Sequence, residues 1–244
     1  MSVRIGTVAA LFRYPVKSMR GLSLDGADLG WHGLAGDRRL AFRRTGDQSG
    51  FPWLTASKLP ELIRFAPRRL DADGELPTHV HTPDGAEFAV FSPELAAEVG
   101  RRAGTPVEML HVRQGIFDDA PVSIISAATI EEIGTLASQP PDVRRFRPNI
   151  LIATDSAVPF EEDQWTGRRV SFGEGSAAPS ITVTMHDVRC SMVNLEPDSA
   201  RATPEVLRTI VRIRDNKAGV YGTVTRVGRL EVGQPVFLER SGNL

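Results

Sequence analysis

Cys190 is the only cysteine in 244 residues, and it stands between Arg189 and Ser191 in the stretch HDVRCSMVN, residues 186–194. A lone thiol packs as a small hydrophobe unless its surroundings favour the thiolate. A neighbouring guanidinium does favour it, making the sulfur a better nucleophile or metal ligand. Two further stretches set a cation beside a proline: YPVKS at 14–18, with Lys17 and Ser18, and FRPN at 146–149, with Arg147 and Asn149. Proline fixes the backbone, so a neighbouring side chain is aimed with less loss of entropy, and aimed cations point to an anionic ligand. The plainer arrangement, a surface arginine next to a core cysteine, stays open at this level.

Other candidates carry less chemistry. His79 and His81 in THVHT would share a strand face, the geometry of a metal pair, but no third ligand stands nearby in sequence. Glu161-Glu162-Asp163 before Trp165 reads as a solvated acidic loop, or as a lid. One cysteine excludes an internal disulfide, a cysteine-ligated iron–sulfur cluster and a cysteine-rich zinc site, so the chain carries no electron relay of its own. With 29 Lys+Arg against 30 Asp+Glu, there is no global positive field for nucleic acid or an anionic membrane. Any anion must therefore be met by a local basic pocket. The segment MSVRIGTVAALFRYPVKS has an apolar run broken by Arg13, too short to span a bilayer and unlike a secretory leader, so a cytoplasmic location is expected.

The elements that would position these residues are mostly strands. VRIGTVAALFRY, LSLDGADLG, RRLAFRR, LIRFAP and EFAVF are short β-rich runs separated by Gly, Asp and Pro, a spacing that suits a small barrel or sandwich. Ser92-Pro93-Glu94 caps a short helix carrying Leu95, Ala96 and Val99 and ending near Gly104, a seam between two units. VSIIS then reads as a buried strand, and Ile130, Ile133, Leu136 and Ala137 repeat at helical spacing. NILIA, RRVSF and ITVTMHDV return to strand. Thr203-Pro204-Glu205 caps a helix with Leu207, Ile210, Val211 and Arg214, stopped by Gly219, before VYGTVTRV and QPVFLER close as strands. The class expected is mixed and β-dominated (α+β).

YPVKSMRGL, GDRRLAF, TASKLPEL, the PVSIIS-then-helix segment, RRFRPNILI, RCSMVNLEPDSA and YGTVTRVGRLEVGQPVFL occur in the order seen in MOSC-domain proteins. Across nearly the whole chain the sequence resembles members with an N-terminal β-barrel, the type of the mitochondrial amidoxime-reducing component and its bacterial relatives. The resemblance implies an N-terminal β-barrel-like domain over residues 1–110 and a MOSC β-barrel with a few flanking helices over 111–244. It implies that Cys190 ligates molybdenum, a sensible role for a soft thiolate beside the dithiolene sulfurs of a pterin. It further implies that Lys17, Ser18, Arg38 of GDRR, Arg147, Asn149, Arg189 and Tyr221 hold the phosphate-bearing molybdopterin. Arginine suits bidentate phosphate recognition and lysine acts as a point charge. The family is also associated with pyridoxal phosphate binding, to which no residue here is matched.

The sequence departs from that pattern in places. Val188 stands where relatives often carry serine, PDSA replaces PDTG so that Ala200 replaces a glycine, and Asp119-Ala120 precedes PVSIIS where a hydroxyl residue is common. The activity implied is a molybdenum-cofactor oxidoreductase that reduces N-hydroxylated compounds such as amidoximes, hydroxylamines and N-hydroxy bases. Its electrons would come from a separate protein, a ferredoxin, a flavoprotein or a b-type cytochrome, with neither nucleic acid nor membrane as partner. The alternative is a carrier of the cofactor or of sulfur without turnover.

Overall fold

A computed structural model of the protein describes residues 2–70 and 74–239. The chain runs through β1 (Ser2–Arg13), β2 (Leu22–Leu24), β3 (Gly26–Gly30), β4 (Gly33–Leu34), β5 (Leu40–Arg44), β6 (Ala66–Arg68), β7 (His79–His81), β8 (Glu87–Ala89), α1 (Pro93–Ala103) and β9 (Val107–His111). It continues through β10 (Val122–Ser126), α2 (Ala127–Ala137), β11 (Ile150–Thr154), β12 (Arg169–Phe172), β13 (Ser180–Val188), α3 (Glu205–Arg214), β14 (Lys217–Arg226), β15 (Gly228–Glu231) and β16 (Pro235–Glu239). The expected mixed, β-dominated class is what the chain adopts.

The central feature is a closed barrel in the order β11-β10-β14-β13-β12-β16-β1, with β1 pairing back onto β11 and β2 added outside β1. Closure removes the exposed edges that a sheet otherwise presents. β1 pairs with β16 along one edge and with β11 along the other, Gly6 and Thr7 meeting both, and register shifts between Arg4 and Gly6 and between Val8 and Ala10 mark bulges that bend the strand. Alternate residues fill the interior, among them Val8, Val122, Ile150, Val170, Ile181 and Val220, each shielded from water. Burial of side chains of this kind contributes about 1.5–3 kcal/mol each.

β10 is buried along its whole length. Its alternate side packs Ile125 beneath α2 and α3, where Ile130, Ile133, Val206 and Ile210 form a separate apolar layer. A further core gathers Val16, Leu40, Phe42, Phe65, Val80 and Leu95 under the β5–β9 pair, the β6-β7-β8 sheet and α1. α1 starts as the sequence predicts: the Ser92 hydroxyl accepts the Leu95 N–H and Gly104 turns left-handed after the last turn.

Several expectations are corrected. LIRFAP is a single 3₁₀ turn over Pro60–Arg64 followed by β6, since Pro60 preorganises a helical start. Leu136 and Val211 keep helical spacing but face solvent at 42% and 50% exposure, because the apolar stripe is only as wide as the layer it covers. α3 has no side-chain cap, and Thr203 instead gives its hydroxyl proton to Asn194 O at 2.9 Å. The helix stops at Asp215 and Asn216, both left-handed, a conformation that short polar side chains tolerate. Gly219 lies further on, inside β14. The Glu161–Asp163 run is no solvated loop: Glu162 is fully buried and accepts the Ser126 N–H at 3.1 Å, while Asp163 meets Arg214 and His186.

Candidate functional site

A cleft of roughly 310 Å³ opens between the barrel and the second core. One wall comes from the loop that follows β5, with Phe51, Thr55 and Ser57, and the other from the segments that enter β10 and β11 and leave β13. Lys17, Ser18, Arg38, Arg147, Arg189, Cys190 and Tyr221, which lie far apart in sequence, all line it. Asn149 does not. It is 1% exposed behind the wall, where its Oδ1 accepts the Ser123 N–H at 3.1 Å and Arg38 Nη1 at 3.4 Å and its Nδ2 donates to Phe12 O at 3.3 Å. It therefore touches the cleft through Arg38.

The loops that aim the cations are bent in an unusual way. Ser18, Arg38 and Arg147 all adopt left-handed backbone, with φ of 66°, 49° and 52°. Each such residue costs about 1–2 kcal/mol, which the surrounding packing must offset. Hydrogen bonds lock the bends: Arg38 N–H donates to Tyr14 O at 2.7 Å, Lys17 N–H to Leu40 O at 2.8 Å, and Arg38 Nη2 to Arg147 O at 3.0 Å. Proline neighbours thus form only part of the aiming device. The rest is backbone held by partners distant in sequence.

Carboxylates balance most of the positive charge. Lys17, 6% exposed, donates to Asp118 at 2.7 Å, and its ammonium also lies 5.8 Å from the Phe51 ring. Burial opposes ionisation of Asp118, but Lys17 outweighs it and holds the carboxyl below its ordinary range. Arg38 pairs with Asp37. Arg189 lies 2.9 Å from Asp187, and burial pushes the Asp187 carboxyl up to about 6 against the pull of Arg189. Arg147 has no carboxylate partner among the described residues. It donates to Met19 O at 2.7 Å and stacks on Tyr14 at 4.2 Å, and burial pushes it down to about 10.

Cys190 is exposed at the cleft, just past the end of β13. The Arg189 guanidinium is buried and turned inward, away from the expected role of a cation set against the thiol: its Nε donates to Ala218 O and its Nη1 to Phe146 O, both at 2.7 Å, and its backbone N–H to Asn216 O at 2.9 Å. These bonds pin the segment that carries the sulfur. Gly219 leaves room for that arginine, since a Cβ there would lie 3.1 Å from Arg189 Nη2 and 2.6 Å from Ile124 O. Tyr221, on β14, is half-buried at the cleft, and burial, reinforced by Asp187, raises its phenol above the ordinary range.

Reading by sequence missed Asp118, Asp187, Phe51 and Met192, all on the cleft wall. Asp187 had a visible signal, a charge inside an apolar strand next to the RC pair. Asp118 had a weaker one, hidden beside Asp119. His79 and His81 lie apart from the cleft on β7, where His81 meets Glu87 and His79 meets Thr78 at 3.0 Å. Among the described residues no group of three His, Cys, Asp or Glu is arranged to hold a metal. Ala200, in place of the family glycine, sits at φ 60°, a conformation that glycine would adopt without strain.

The family described as the MOSC domain matches residues 78–237, and the MOSC N-terminal beta barrel domain matches residues 5–113. The chain belongs to the MOSC-domain family. It is 23% identical to Mitochondrial amidoxime reducing component 2 of Bos taurus, over 96% of this chain and 83% of that protein. To the Homo sapiens protein of the same name it is 22% identical, over 96% of this chain and 84% of that one. The crystal structure of the YUAD protein from Bacillus subtilis shares the fold, with a TM-score of 0.52 over 99% of this chain and 100% of that one at 14% identity. No helix among the described residues is long and apolar enough to cross a membrane.

Proposed function

We propose that the protein is a molybdenum-cofactor oxidoreductase that reduces N-hydroxylated compounds with electrons from a separate donor protein. The observation that carries this reading is the convergence of one exposed thiol, Cys190, with Lys17, Arg38, Arg147 and Arg189 on a single cleft. The similarity to proteins named for amidoxime reduction supports the substrate class.

The donor set fits the cofactor. A thiolate is a soft ligand for a metal otherwise held by sulfur, and the partly buried Arg147 guanidinium, with no carboxylate partner among the described residues, suits a phosphate. Cys190 would ligate the metal; Lys17, Ser18, Arg38, Arg147, Arg189 and Tyr221 would hold the pterin and its phosphate, with Asn149 fixing Arg38. The cofactor, when bound, supplies the two-electron redox chemistry. The overall conversion takes N–OH, two electrons and two protons to N–H and water.

The chain's own groups bind, orient and supply protons. Of the two carboxyls on the cleft wall, Asp118 is held ionised by Lys17, whereas Asp187, pushed to about 6, can hold a proton near neutral pH. Phe51 and Val188, both about half exposed at the mouth, offer apolar surface to an uncharged substrate body. Residues 1–110 would contribute the Lys17 and Arg38 side of the site and residues 111–244 the cysteine side, in a cytoplasmic protein.

The test is reduction of benzamidoxime by purified, cofactor-loaded protein with an artificial electron donor. Turnover supports the reductase. A full molybdenum load with no turnover across N-oxygenated substrates would instead favour a cofactor carrier.

A further inference from the structure

Lys17, Arg38 and Arg189 each face a carboxylate, but Arg147 faces a ring. Its guanidinium carbon lies 4.2 Å from the centroid of Tyr14, and that of Arg38 lies 4.8 Å from the same centroid. One aromatic ring thus attracts two like charges that repel each other. The difference between a ring and a carboxylate matters here. A carboxylate would neutralise Arg147 and occupy its donors, whereas an aromatic face attracts the cation while leaving the N–H groups unspent.

Tyr14 is itself tightly held. Its N–H donates to Asp37 Oδ1 at 2.6 Å, the carboxylate that also pairs with Arg38, and its carbonyl accepts the Arg38 N–H. The ring is 2% exposed and lies against Gly21, where a Cβ would come within 2.4 Å of Cε1. Its buried hydroxyl has no hydrogen-bond partner among the described residues, so it adds nothing visible to the fold. The ring is the part in use.

We infer that Tyr14 is a positioning residue, which keeps Arg147 charged, oriented and free of any carboxylate beside Arg38, so that the two guanidiniums together grip a phosphate monoester. This inference rests on the proposed binding of a phosphate-bearing cofactor in the cleft, and it assigns the gripping geometry to a side chain that touches the arginines rather than the ligand.

The test compares Tyr14→Phe, Tyr14→Leu, Gly21→Ala and Arg147→Gln in the full chain. Two quantities are read: the affinity for inorganic phosphate, from its stabilisation of the metal-free protein, and the molybdenum content after expression in a molybdopterin-producing host. Tyr14→Phe keeps the ring and should bind phosphate within about twofold of the parent. Tyr14→Leu should weaken phosphate binding about tenfold, the scale of a desolvated cation–π contact, and lower the molybdenum load. Gly21→Ala, which keeps Tyr14 but displaces its ring, should weaken binding in the same direction and gives the answer if Tyr14→Leu does not fold. Parent-like phosphate affinity in Tyr14→Leu, or in Gly21→Ala, together with a loss in Arg147→Gln, overturns the role of Tyr14. Parent-like phosphate binding and molybdenum load in Arg147→Gln overturns the underlying cofactor reading instead.

Discussion

Arg189 and Asp187 meet at 2.9 Å on either side of Val188, with both side chains sealed from solvent a few residues before and beside Cys190. Ser123 adds a hydrogen bond to the same carboxylate oxygen at 2.9 Å, tying the cysteine segment to β10. The pair is therefore a structural pin and a titrating group at once. Removing one member of such a pair leaves the other charge buried and uncompensated.

Asp187 sets a pH dependence with a definite sign. Its folded-state value, raised to about 6, lies above the ordinary 3.8, so the native state holds this proton more tightly than the unfolded chain does. Stability should fall as pH rises from about 4 to about 6 and then level off, with this group contributing on the order of 3 kcal/mol. Urea titrations at several pH values should reveal that slope in the parent and its absence in Asp187→Asn. An unchanged slope in the variant would assign the effect to other groups.

Cys190→Ser removes the sulfur and little else, because the side chain is exposed and makes no packing contribution to any core. Thermal stability of the metal-free protein should stay within about 0.5 kcal/mol of the parent. Molybdenum, measured by elemental analysis after expression with the cofactor pathway present, should drop to background. Retention of metal by the serine variant would rule out the thiolate as its ligand.

Glu162 carries a buried carboxyl into the layer under α2, and burial pushes its titration upward. Glu162→Ala deletes the acceptor for the Ser126 N–H and opens a void, a loss of about 2–4 kcal/mol in denaturant unfolding. Glu162→Gln keeps an acceptor at the same reach and should lose about 1 kcal/mol or less. Equal losses in the two variants would show that the hydrogen bond is not what matters.

Gly219→Ala is expected to be far worse than an ordinary strand substitution. The φ of 80° disfavours any side chain, and the new methyl would press on Ile124 O and Arg189 Nη2. A loss of about 2–4 kcal/mol should appear in thermal unfolding, accompanied by a lower molybdenum load as Arg189 shifts. Retention of full metal would separate the strain from the site.

Most strands were legible because their signal, a short apolar run or an apolar alternation between turn residues, is local. VSIIS, NILIA and ITVTMHDV each announce themselves, and Ser92-Pro93 marks α1 by cap chemistry. The cleft was legible in part for a different reason: the cysteine, the two proline-flanked cations and the family resemblance all named residues that line it. What stayed hidden depends on contacts between distant positions. Glu162 reads as solvated until α2 covers it, Asn149 reads as a ligand-facing amide until Ser123, Phe12 and Arg38 consume its hydrogen bonds, and no local pattern marks Asp118 as the partner of a lysine 101 positions away. The end of α3 carries no glycine signal because Asp215 and Asn216 take on the turn that glycine usually provides.

The ring of strands is sealed by pairing β1 with both β11 and β16. A ribosome releases β1 long before β16 exists, so β1 must wait, with its apolar face unsatisfied, until the more than 200 residues between the two strands have emerged. Lys17 and Arg38 follow that waiting strand, while the cysteine and Arg147 arrive late in synthesis. On the proposed reading, insertion of the cofactor would therefore wait for the barrel to close, and a ribosome-stalled chain lacking β16 would present chaperones with an open hoop rather than half of a working site.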